Sequence, residues 1–184
     1  MADQGSGIVE LITPLDQQVV RSLRAGQRVA ISGRIYTARD ASHRRLLDAL
    51  DRGGRLPFDL EGALIYYVGP TPARPGRPIG AAGPTTSSRM DPFTPRLIAL
   101  GLRATMGKGY RSMDVRQALM QFGAVHLAAV GGAGAYLSQF ICQAEQIAYE
   151  DLGPEAIFCL IVRGFPAFVA YDSHGGSIYV KDTE

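Results

Sequence analysis

The sequence predicts a mixed α/β domain, and three observations carry that prediction. Short apolar runs alternate with segments whose apolar positions recur at helical spacing. Glycines and prolines punctuate the junctions between them. At 46% hydrophobic and 20% charged residues, the 184-residue chain can fill a core of ordinary size and carries too little charge for a disordered chain. A single domain over 1–184 is the expectation.

Each element follows from its own stretch of residues. Gln27–Tyr36 (QRVAISGRIY) reads as a strand interrupted at Gly33. Thr37–Arg52 reads as a helix: Thr37 can cap it, Asp40 sits three residues on, and Leu46, Leu47 and Leu50 form an apolar stripe. Ala63–Val68 (ALIYYV) is a short buried strand. Thr94–Leu100 is helical, with Pro95 at the first helical position and Gly101 as its stop. Asp114–Phe122 follows as a helix and Ala124–Val130 as a strand. Gly134–Leu152 is expected to be the longest helix, and Ala156–Val162 (AIFCLIV) a buried strand. Phe168–Tyr171 and Ser177–Lys181 flank His174-Gly175-Gly176, a hairpin-like turn.

One stretch resists this alternation. Gly69–Ser88 holds five prolines and four glycines in 20 residues, with no acid, and ends in four consecutive hydroxyl residues before Arg89. A loop of this length inside a compact domain is usually functional or disordered, and its proline content, which limits the chain's freedom, favours function.

Composition excludes several function classes. The net charge of +2 argues against a broadly basic nucleic-acid binder. Cys142 and Cys159 are too few for a disulfide framework, a structural zinc or an iron–sulfur cluster held without help. No secretory leader and no membrane span is read from the sequence, so a cytoplasmic protein is expected. The charge is nevertheless concentrated. Between Gly62 and Met113 stand seven bases (Arg74, Arg77, Arg89, Arg96, Arg103, Lys108 and Arg111) against one acid, Asp91. That excess fits a local anion site, and also a solvated arginine-rich loop.

Three constellations carry candidate chemistry. Arg39 and His43 lie on the same helical stripe as Leu46, Leu47 and Leu50, so the cation must have a partner or reach a cavity. It is either a fork for a carboxylate or half of a salt bridge, and His43 is either an acid–base group or a satisfied core histidine. Gly83-Pro84-Thr85-Thr86-Ser87-Ser88-Arg89 combines close backbone approach, hydroxyl donors and fixed charge, as an oxyanion cradle or a capped turn. Gly107-Lys108-Gly109 places one of only two lysines between glycines, where a compact point charge fits a tight spot. Gly131–Gly134 is a weaker candidate for an anion site at a helix start. Neither a P-loop, HExxH, CxxC nor a Ser/His/Asp pattern is present.

ISGRIYTARDASH (Ile31–His43), GPTTSSRMD (Gly83–Asp91), MGKG (Met106–Gly109) and GPEAIF with FPAF (Gly153–Phe168) resemble, in order, one known family. It is the β-subunit, or C-terminal domain, of iron–sulfur class I fumarases and L(+)-tartrate dehydratases. The resemblance implies a swivelling β/β/α three-layer fold with a mixed sheet. It also implies a share in a hydro-lyase that adds or removes water across a small dicarboxylate, fumarate to malate first, tartrate or mesaconate next. A partner α-subunit would hold the [4Fe-4S] cluster through three cysteines, in an assembly such as α2β2, and this chain would bind no metal.

Carried over by motif, Arg39, Thr86 and Arg89 would bind substrate, Lys108 would add a charged catalytic contact, and Thr85 is the candidate proton-transfer group. Asp40 and His43, from the RDxxH motif, would be acid–base or structural. Ser42 stands where the family commonly has Ala, and Arg163-Gly164 where an acid commonly precedes FPA. The readings from other classes are a stand-alone anion-binding module and a weak nucleic-acid binder.

Overall fold

The computed structural model describes residues 7–179. The end of the expected Ser177–Lys181 strand lies outside them; within them, Ser177 bridges back to Tyr171 and closes the predicted turn. In chain order the elements are β1 (Val9–Ile12), α1 (Gln17–Ser22), β2 (Arg28–Thr37), α2 (Asp40–Asp51), β3 (Leu64–Tyr66), α3 (Thr94–Ala99) and β4 (Ala104–Gly107). There follow α4 (Met113–Phe122), β5 (Val125–Ala128), α5 (Gly134–Leu137), β6 (Ile141–Ala148) and β7 (Ile157–Tyr171).

All seven strands belong to one mixed sheet. β2, β3, β4 and β5 run parallel in that order, and β7 lies antiparallel to both β2 and β5, which closes the five into a ring. Closure depends on the two longest strands. β7 pairs with β2 along one edge; its other edge takes β6 over Ile157–Val162 and β5 over Phe168–Tyr171. Pro166, which has no N–H to donate, falls in the gap between those two partners. β2 slips register between Ile31 and Gly33, where φ is +109° and a Cβ would stand 2.5 Å from the Thr13 hydroxyl. Only glycine fits that bend.

Alternation along the strands sorts the side chains into two apolar clusters. Tyr66, Met106, Leu127, Leu160, Phe165 and Val169, with their same-parity neighbours, fill the ring's interior. Ile65 and Tyr67 point outward and pack under Leu46 of α2, Leu97 and Ile98 of α3, and Val115 and Leu119 of α4. Two walls of sheet and one layer of helices give the β/β/α layering. Burying each of these side chains contributes about 1.5–3 kcal/mol.

Three expectations are corrected. Gly134–Leu152 is not a long helix: α5 has four residues, and the rest is the edge strand β6 with flanking turns. Register shifts at Ile141/Gln143 and Gln146/Ala148 break the two-residue period. The less exposed apolar positions Ile141, Ala144 and Ile147, the first two against the ring interior and the third against the helix-side cluster, therefore recur every third residue and imitate a helix. The strands Ala156–Val162 and Phe168–Tyr171 are one continuous β7, bent at Gly164. Thr37 ends β2 instead of capping α2; its hydroxyl accepts from Phe158 N–H at 2.9 Å, and Arg39 takes the cap position.

Candidate functional site at the rim of the parallel strands

The parallel strands end together, and the residues singled out in the sequence follow those ends. Arg39 and Asp40 come directly after β2. The proline-rich excursion leaves β3 and returns to it, with Val68 bridged to Pro84 and Thr85 N–H donating to Tyr67 C=O at 2.8 Å. Lys108 is the first residue past β4. Its N–H donates to Thr85 C=O at 3.2 Å, and its C=O accepts from Ser87 N–H at 2.8 Å. Gly107 makes this approach possible, since a Cβ there would stand 2.9 Å from the Tyr67 ring and closer still to the Ser87 hydroxyl. The carboxyl ends of parallel strands are where α/β sheets bind ligands.

The two arginines at this rim are already paired. Arg89 Nε–H donates to Asp40 Oδ1 at 3.1 Å, and its Nη2 lies 3.0 Å from Oδ2. Arg39 Nη2 lies 3.6 Å from Glu155 Oε1, with the guanidinium laid over Gly69. Ser42 has a local task at the helix start: its hydroxyl accepts from Arg39 N–H at 2.7 Å. Thr85 is half-buried, while Thr86, Arg89 and Lys108 are exposed.

His43 sits beneath the rim rather than on it. The ring is fully buried, edge-on to Tyr67 and stacked with Phe93. Nδ1–H donates to Arg39 C=O at 2.8 Å, which fixes the tautomer. Burial pushes its pKa down to about 4, so the ring is neutral at pH 7. Arg39 Nε, His43 Nε2 and Ser87 Oγ are three buried polar side-chain atoms without a hydrogen-bond partner among the described residues. Such concentrations mark places where polar ligands or ordered water bind.

Sequence reasoning missed Arg111 and gave Asp91 no role. The Arg111 side chain is 0% exposed. Its Nε–H donates to Asp91 Oδ1 at 2.7 Å, and its Nη groups donate to Thr94 Oγ1, Thr105 Oγ1 and the Tyr67 hydroxyl at 2.8, 3.1 and 3.3 Å. Nη1 also lies 3.1 Å from His126 Nδ1, which accepts. Burial first, and then the Arg111 charge, hold the His126 pKa well below its ordinary value. The available signal was Asp91, a lone acid among seven bases.

Gly131–Gly134 leads only into the four-residue α5; Gly134 packs on the backbone of Gly83, and Gly132 stands at a φ of +78°, so packing and a turn account for these two glycines. The donor set does not fit an iron–sulfur cluster. Its two cysteines lie on different strands, β6 and β7, and no group of three or more His, Cys, Asp or Glu that could hold a metal occurs among the described residues. Nor is any helix among them long and apolar enough to cross a membrane.

Fold and site together define a β/β/α domain that presents two arginines, a lysine and two threonines along one strand rim. The chain belongs to the fumarase C-terminus family, whose model matches residues 2–182. It is 37% identical over 171 residues to a Methanocaldococcus jannaschii protein named as an L(+)-tartrate dehydratase subunit beta, covering 90% of this chain and 88% of that one. It is 38% identical over 182 residues to a Geobacillus stearothermophilus protein named as a class I fumarate hydratase, covering 96% of this chain and 34% of the relative. The anaerobic class I fumarate hydratase of Escherichia coli is 36% identical over 172 residues, covering 92% and 30%. The chain thus spans about a third of these two fumarate hydratases and nearly the whole tartrate dehydratase subunit.

Proposed function

We propose that this chain is the β-subunit of a hydro-lyase that reversibly hydrates a small dicarboxylate, fumarate to malate in the first instance. The convergence of Arg39, Arg89, Lys108, Thr85 and Thr86 on one rim carries this reading. The match to 88% of a β-subunit supports a partner that supplies the remainder. That partner would be an α-subunit bearing a [4Fe-4S] cluster, in a cytoplasmic assembly such as α2β2. The cluster would supply a Lewis acid for the departing hydroxyl. That relative's name equally supports tartrate as the substrate; mesaconate also remains within this reading.

The chain's own residues do electrostatic work. A dicarboxylate brings two negative charges, and more charge gathers on one carboxylate as the adjacent C–H is lost. Arg89 and Arg39 are forks for carboxylates and now hold Asp40 and Glu155. Substrate carboxylates would replace those partners in a charge-matched exchange. Lys108, at the open end of β4, adds a compact charge where the backbone of Thr85 and Thr86 meets that strand. Thr85 is the candidate proton-transfer group; a threonine hydroxyl is a weak base and would need a neighbouring group to stabilise its ionised form. Anaerobic co-expression with the cysteine-bearing subunit, followed by assay on fumarate, malate, tartrate and mesaconate, tests the proposal. Turnover of one of them is expected, and no turnover of any by a cluster-loaded complex overturns it.

A further inference from the structure

Two segments carry the rim: 85–91 with Thr85, Thr86 and Arg89, and 108–112 with Lys108. At one end they are joined by backbone, Lys108 N–H to Thr85 C=O and Ser87 N–H to Lys108 C=O. At the other end Asp91 joins them. One of its oxygens accepts from Arg111 Nε–H and the other from Ser112 N–H, both at 2.7 Å. Arg89 stands two residues before this second junction and Lys108 three residues before it. The remaining guanidinium N–H groups reach Tyr67 just past β3, Thr105 in β4, His126 in β5 and Thr94 at the start of α3. A planar fork can address all of these directions at once; a lysine ammonium cannot.

We propose that Asp91 and Arg111 are positioning residues, a staple that fixes Arg89 against Lys108 in the geometry that grips one small dicarboxylate. This deepens, and rests on, the reading of the rim as a substrate site. The pair is neutral as a whole and out of solvent, so it acts by geometry and touches no substrate. Its removal therefore loosens the rim even when the positive charge is kept.

The test uses Arg111→Lys, with Arg103→Lys as the control. Arg103 also carries a mostly buried guanidinium, paired with Glu61 at 3.1 Å and Phe122 C=O at 3.2 Å, but it precedes β4, at the opposite end from the rim. In the assembled two-subunit enzyme, Arg111→Lys should lower kcat/KM for fumarate about tenfold or more and raise KM. In the full chain it should speed hydrogen exchange at the Ser87 and Lys108 amides about tenfold relative to the β3–β5 amides. Arg103→Lys should do neither. If Arg111→Lys does not fold, Asp91→Asn, which keeps an oxygen for Ser112 N–H, takes its place in both measurements.

A kcat/KM within about twofold of wild type, unchanged exchange, or equal effects from the control would each overturn the staple. A wild-type complex that turns over none of fumarate, malate, tartrate and mesaconate, with faster exchange still seen in Arg111→Lys, would sink the substrate reading and keep the staple as the organiser of the rim.

Discussion

Arg89–Asp40 and Arg111–Asp91 are both arginine–carboxylate pairs, and both draw a member from Arg89-Met90-Asp91, yet they are built for opposite purposes. The Arg111 and Asp91 side chains are 0% and 11% exposed, and the guanidinium spends its N–H groups on five partners. Arg89 and Asp40 are 49% and 27% exposed and hold only each other. An exposed pair contributes about 0–1 kcal/mol, so an arriving carboxylate can displace Asp40 at little cost. Breaking a buried pair costs about 3–5 kcal/mol, because the survivor is stranded without water. Burial, rather than chemistry, decides which arginine can exchange partners and which is scaffold.

The contrast can be broken at its strong side first. Arg111→Met should lower the unfolding free energy in urea by about 3–5 kcal/mol, since Asp91 is left buried and uncompensated. A loss below about 1 kcal/mol would put the two pairs in the same class.

Acid should act on the layer beneath the rim. The folded pKa of His43, about 4, lies below its unfolded value, so the unfolded chain binds more protons between about pH 6.5 and 4. Stability should therefore be full above about pH 6.5 and fall by about 3 kcal/mol on acidification to pH 4, with His126 adding in the same direction. Urea titrations across that range check the slope, which should become shallower in His43→Gln.

On the exchangeable side, Arg89→Ala or Lys108→Ala should each lower kcat/KM of the assembled enzyme about ten- to a hundredfold, the loss of about 1.5–3 kcal/mol of charge-assisted contact. Stability should scarcely change, because both side chains are exposed. Unchanged kinetics in both variants would remove these residues from the site. The smallest effect belongs to Asp40→Asn. It should shift stability by less than about 1 kcal/mol, as an exposed ion pair requires, in the same urea measurement.

Much of the rim was legible because its residues are conspicuous in the chain. Arg39, the Thr85–Arg89 run and the glycine-flanked Lys108 stand out by type and spacing, and the family resemblance placed them in one site. Arg111 did not stand out, because nothing local separates a buried arginine from a solvated one; only the closing of β3, β4 and β5 around it makes it a staple. The helices α2 and α3 were readable from the Leu46, Leu47 and Leu50 stripe and from Pro95 and Gly101, although the cap of α2 was misplaced at Thr37, and α4 was readable over Asp114–Phe122. β6 was not, since its bulges copy the spacing of a helix, and β7 was cut in two by the glycine and proline that let it bend.

What the residues determined unaided was inventory: which segments bury a face, where turns fall, and that cations and hydroxyls cluster in the middle of the chain. These properties act over a few neighbours, so they survive in a one-dimensional text. Ring closure by β7, the meeting of Lys108 with Thr85, and the division of the arginines into exchangeable and fixed belong to tertiary structure alone. They depend on which distant groups share a low-dielectric interior, and burial of that kind is set by the whole packed chain.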